Sequence, residues 1–161
     1  MRQTPESLRE RGAAVAVRVS QPPEAVDAGY PDFEAVQFLG TIDTGAMTSM
    51  LRDDLFNPET HELSHVGSKP YTGFSGSALV EQYLARIQIG SSSDFEQDLI
   101  IGAGKFDDHV EFLIGRDILI HAKFEWNGPL GVHDLTFPRG LDLPGSSGDV
   151  EANELDFPPL S

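Results

Sequence analysis

Residues 38–47 read FLGTIDTGAM: an apolar run, FLGTI, carries a single carboxylate, Asp43, onto a turn that contains Gly45. Hydrolysis by carboxylates usually takes two of them, one to activate a water and one to polarise the carbonyl. The reading of this stretch therefore turns on where a partner for Asp43 is found. Taken alone, Asp-Thr-Gly after a strand is common, and its plain reading is an Asx-type turn whose carboxylate accepts backbone N–H groups.

The 161 residues fit one domain and leave no room for two full lobes. Sixteen Gly and eleven Pro, set in clusters between apolar runs, favour β structure over a helical bundle. The 26 acidic against 11 basic residues give a formal charge of −15, which repels phosphate backbones and anionic headgroups. Neither nucleic acid nor a membrane is expected as a partner. The first apolar stretch, AAVAVRV at 13–19, is interrupted by Arg18 and reads as a strand rather than a signal peptide, so the expected compartment is the cytoplasm. With no cysteine there is neither a disulfide nor a thiolate site.

Strands are expected over 14–20, 35–43, 79–90, 98–103 and 110–115, with a Pro-rich connection at 21–32. After Gly115-Arg116-Asp117, the run ILIHAKFEW suits a short helix or a strand. The turn NGPLG at 127–131 and the alternating VHDLTF at 132–137 suggest a closing hairpin. The chain thus divides into a polar segment 1–12, a folded unit 13–137 and an acidic tail 138–161. That tail has too little apolar content to offset its ordering entropy and is expected to be disordered.

Other motifs compete with Asp43. HELSH at 61–65 matches the zinc pattern in which His61 and His65, one helical turn apart, bind the metal while Glu62 activates its water. That pattern needs a sustained helix, and NPET before it and GSKPYTG after it are turn chemistry. Two surface histidines in a polar connection are the plainer reading. GAGK at 102–105 lacks the spacing and the Ser or Thr of a phosphate loop, and FDDHVE at 106–111 reads as a solvated turn.

Far downstream of Asp43, a second apolar run leads into FLIGRDIL at 112–119. The pairing of DTGA at 43–46 with LIGRDIL at 113–119 resembles the retropepsin-like aspartic peptidases, the single-lobed retroviral type. Between the two, YTGFSGSALVEQY at 71–83 stands where that family carries its mobile flap. Order and approximate spacing agree across residues 14–126. The resemblance implies an all-β fold, a closed barrel of one lobe with a flap hairpin and one short C-terminal helix.

It also implies an answer to the opening question: the partner carboxylate is Asp43 of a second copy, so the enzyme is a homodimer with an isologous interface. The two carboxylates would share one proton and hydrolyse a peptide or protein substrate through water, without a metal or other cofactor. By the same resemblance Thr44 bonds across the two-fold axis, Gly45 lets backbone approach the substrate, and Ala46 keeps a subsite wall small. Gly73, Phe74, Ser75 and Gly76 form the flap tip. Arg116 ties the helix to the active-site layer, and Asp117 caps that helix. The chain departs from viral members at Met47, where they carry an acid, and at Ser75, where they carry Gly. Two rival functions are a catalytically weak peptide-binding module on the same fold and a zinc metallohydrolase built on HELSH.

Overall fold

Val17 pairs with Phe38 on one side and with Ile89 on the other, and this double pairing is what closes the sheet. The computed structural model of the chain describes residues 12–55, 62–73, 76–90, 94–105 and 109–138. In it β1 (Ala14–Ser20) alternates buried Val15, Val17 and Val19 with outward Arg18, as a half-buried strand requires. The strands that follow are β2 (Val36–Ile42), β3 (Met50–Arg52), β4 (Ser64–Gly73), β5 (Gly76–Ile89), β6 (Phe95–Gly104) and β7 (Phe112–Ile114).

The sheet runs β1-β2-β7-β3-β6-β5, and the further pairing of β5 with β1 closes these six strands into a barrel. β2 lies parallel to β7 and β3 parallel to β6, while β3 and β7 are antiparallel. The interior is filled by Val17, Val19, Ile87, Ile101, Phe112 and Ile114, each at most 1% exposed. Burying a side chain of this size contributes roughly 1.5–3 kcal/mol. The chain is therefore mostly β with a closed barrel, in line with the expected fold class at that level.

Three segments differ from expectation. GSKPYTG at 67–73, read as turn chemistry, belongs to the ten-residue β4. Among the described residues β4 pairs only with β5, so Pro70, which has no N–H to give, costs nothing on the outer edge. A bulge between His65 and Gly67, the latter at φ 146°, absorbs the glycine. In the 21–32 connection a short helix, α1 (Pro23–Asp27), starts with Pro in its first turn, where the missing N–H is harmless. β3 has only three residues, too few for a readable alternation.

The run after Gly115 contains both of its alternatives. α2 (Arg116–Leu119) is followed by β8 (Lys123–Asn127), which pairs with β9 (Val132–Thr136) in a separate two-stranded ribbon. Its turn is held by Asn127, whose Oδ1 accepts the Leu130 N–H, and by Gly131 at φ 61°. The ribbon is fastened to the barrel through buried His133, whose Nε2 lies 2.9 Å from the Ala14 carbonyl oxygen, and through Phe137, whose ring centre lies 4.8 Å from that of Phe95 with the planes tilted by 35°. No helix among the described residues is long and apolar enough to cross a membrane. Residues 1–11 and 139–161, which hold nearly all of the polar segment and the acidic tail, lie outside the described residues.

Candidate active site

Asp43 is the first residue beyond β2, and its backbone N–H donates to the Ile114 carbonyl, extending the parallel β2–β7 ladder by one bond. The chain then turns. Asp43 Oδ1 accepts the Gly45 N–H at 2.8 Å, and the Asp43 carbonyl accepts the Ala46 N–H at 3.3 Å. This is the Asx-type turn that the plain reading anticipated. It uses one carboxylate oxygen; Oδ2 has no hydrogen-bond partner among the described residues. Thr44 and Gly45 form an exposed crest, Asp43 is half-buried, and Met47 is 68% exposed. A Cβ on Gly45 would lie 3.1 Å from Asp43 Oδ1, so only glycine leaves the carboxylate undisturbed.

The far side of the turn is bound to β7 and α2. Ala46, itself buried, gives its carbonyl to the Arg116 N–H at 2.9 Å, and the Met47 carbonyl accepts the Asp117 N–H at 3.3 Å. Ser49 is fully buried and central to this contact. Its N–H donates to Asp117 Oδ2 at 2.9 Å, its hydroxyl to Asp117 Oδ1 at 2.7 Å, and the hydroxyl oxygen accepts the Gly115 N–H at 2.9 Å. The Ser49 carbonyl accepts the Gly102 N–H of β6. Gly115 is required here because a Cβ would fall 2.7 Å from the Thr48 carbonyl carbon.

Two assigned roles change. The N-cap position of α2 is Gly115, which has no side chain to cap with, and Asp117 sits inside the first turn. Its carboxylate reaches across to Ser49 and accepts the Ile118 N–H besides, so Asp117 joins loop to helix rather than capping. The tie from Arg116 runs through its backbone; the guanidinium is exposed and makes no ion pair or hydrogen bond with a described residue. Ser49 escaped the sequence reading. The hydroxyl pair Thr48-Ser49 directly before the apolar pair Met50-Leu51 is the signal that sequence offers, since a buried hydroxyl needs partners.

The hairpin of β4 and β5 closes on the pair Gly73–Gly76, with Gly76 at φ 115°. Phe74 and Ser75, expected at its tip, lie outside the described residues. Lower down, Glu81 of β5 grips both sides of the β4 bulge: Oε1 accepts the Ser68 hydroxyl at 2.7 Å and Oε2 lies 2.6 Å from His65 Nε2. The Ser68 bond first, then His65, hold the Glu81 carboxyl below the usual glutamate range, against a smaller opposing effect of burial. Partial burial, with the Glu81 charge adding to it, pushes the Tyr83 hydroxyl up. No hydrogen bond links this hairpin to the Asp43 turn among the described residues.

The remaining motifs do not assemble into sites. Ser64 and His65 belong to β4, so the helical turn that HELSH needs does not run through His65; Glu62 is exposed, and His61 lies outside the described residues. No group of three His, Asp or Glu side chains among the described residues could hold a metal. Gly102 and Gly104 lie in β6, an extended strand rather than a phosphate loop. Glu111 accepts the Leu39 N–H at 2.7 Å and so serves the barrel wall, while Asp107 and Asp108 lie outside the described residues.

No family model and no curated protein matches the sequence. Among solved structures, a protein of unknown function (DUF785) from Legionella pneumophila is similar over 66% of this chain and 84% of its own, at 13% identity and a TM-score of 0.36.

Proposed function

We propose that the chain is a retropepsin-like aspartic endopeptidase, active as a homodimer in which each copy contributes Asp43. The observation that carries this reading is a carboxylate with one oxygen unengaged, on an exposed Asp-Thr-Gly turn clamped to a closed β-barrel. A second carboxylate does lie against the same loop, that of Asp117. Both of its oxygens are taken by Ser49 and Ile118, which leaves it unfit to activate water. On the resemblance to the single-lobed peptidases, the partner in this proposal is the Asp43 of a second copy.

Held close together, two such carboxylates cannot both ionise readily, and they retain one proton between them. The ionised member takes a proton from a bridging water as the water oxygen attacks the scissile carbonyl carbon. The protonated member donates to the carbonyl oxygen. Collapse of the resulting diol breaks the C–N bond, with a proton delivered to the departing nitrogen. The β4–β5 hairpin, with glycine on either side of its tip, supplies the cover that excludes other water.

Asp43→Asn is nearly isosteric but cannot share the proton, so it is expected to abolish cleavage of a denatured protein mixture. Circular dichroism and sedimentation are expected to match wild type. Cleavage retained by this variant sinks the dyad. A wild-type protein that binds a statine-type peptide without cleaving any substrate would instead establish the peptide-binding alternative.

A further inference from the structure

The loop from Asp43 to Ser49 is fastened at both ends to one continuous piece of chain, Ile114 to Asp117. At the leading end the attachment is a single backbone bond, Asp43 N–H to the Ile114 carbonyl at 3.0 Å. At the trailing end backbone meets backbone so closely that Gly115 has no room for a methyl group. Contact of that kind buries N–H groups that no strand ladder serves. Ser49 satisfies them: its hydroxyl accepts from Gly115 while donating to Asp117, and its own N–H goes to the second oxygen of the same carboxylate. Ser49 is 0% exposed, and the bond from the Gly115 N–H to its hydroxyl is buried, so that bond is closed to water. Without the hydroxyl, the Gly115 N–H would be left buried and unpaired and Asp117 would lose a donor.

We infer that Ser49 is a positioning residue for Asp43, acting through Gly115 and Asp117 to keep the turn at a fixed height above β7 and α2. The inference rests on the aspartic peptidase reading for its catalytic consequence, but its mechanical content does not. Two carboxylates that share a proton across a two-fold axis work only at a narrow separation, and any rise of the loop is doubled at that axis. Misplacement of about 1 Å is enough to cost roughly a hundredfold in rate.

The test compares wild type, Ser49→Ala, Ser49→Thr and Asp117→Asn by amide hydrogen exchange and by steady-state peptide hydrolysis. In Ser49→Ala, exchange at residues 43–48 is expected to quicken about tenfold or more while the amides of β5 and β6 keep wild-type protection. kcat is expected to fall between about tenfold and a hundredfold with KM nearly unchanged, because the transition state alone needs the exact separation. Ser49→Thr, which keeps the hydroxyl, is expected to restore both. Asp117→Asn keeps an acceptor for the hydroxyl but loses the one for the Ser49 N–H, and an intermediate effect follows; this variant also decides the matter if Ser49→Ala does not fold. Unchanged exchange over 43–48, or a loss of protection spread evenly through the barrel that Thr does not restore, overturns the inference. Should wild type show no hydrolysis while the exchange pattern holds, the peptidase reading fails and the anchoring role of Ser49 stands.

Discussion

A methyl group added to Gly40 would clash with Val17 Cγ2 and fall 2.9 Å from Ile114 Cδ1. Both neighbours are fully buried β-branched side chains with little freedom to retreat. Gly40→Ala is therefore expected to destabilise the fold by about 1–3 kcal/mol, measured by urea titration, through overpacking at the end of the barrel next to Asp43. The residues around the site differ in how far they could be read. Asp43, Thr44 and Gly45 announced themselves as a turn after an apolar strand, and local sequence sufficed because the Gly45 N–H to Oδ1 bond spans only two residues. Ser49 and Asp117 were opaque in function because their bond joins positions 68 apart in the chain. Local propensity carries no record of such a partner, and Asp117 looked instead like a helix cap, the nearest role a short acid before an apolar run can take.

Glu81 is the main polar fastening on the hairpin of β4 and β5, and its behaviour with pH follows from its depressed folded-state pKa. A carboxyl held below its unfolded value stabilises the folded form above that unfolded value. The contribution fades as the pH falls through the lower folded value. Protection of the β4 amides near the bulge is therefore expected to weaken below the ordinary glutamate value of 4.5, and Glu81→Gln is expected to remove that step; exchange mass spectrometry at a series of acid pH values measures both. A step of equal size in the Gln variant would assign the effect elsewhere. Strands with a clean two-residue alternation, β1 with its valines or β5 with Ala85, Ile87 and Ile89, were legible because one face is buried. β4 was not, since an edge strand can carry Gly67 and Pro70 without breaking its ladder, and those residues outside a structure signal a turn. β3, three residues long, is held by its neighbours β6 and β7 rather than by any pattern of its own.

For the whole molecule the governing quantity is charge. Each chain carries a formal −15 at neutral pH, and pairing two copies doubles the charge held in one particle. Self-repulsion of this kind opposes association and is screened within about 8 Å at physiological ionic strength. On the proposed shared site, specific activity is expected to fall on dilution near neutrality and to recover in high salt or mild acid, where carboxylates begin to protonate. Sedimentation run beside the assay checks it. A monomer whose specific activity stays constant over a hundredfold dilution would refute a site built from two copies.

The double pairing of β1 also sets a timetable for synthesis. β1 meets β2 through Ala14–Thr41 and can zip up as soon as Ile42 has left the ribosome, but its other edge waits for Arg86 to Ile89. At about 5–20 residues per second that interval lasts on the order of seconds. Throughout it the nascent chain is an open ribbon with both backbone edges bare, since that of β2 waits longer still, for β7, and Val17 and Val19, later sealed inside, have no core to enter. The yield of folded protein is then a race between translation of β5 and edge-to-edge association of neighbouring nascent chains.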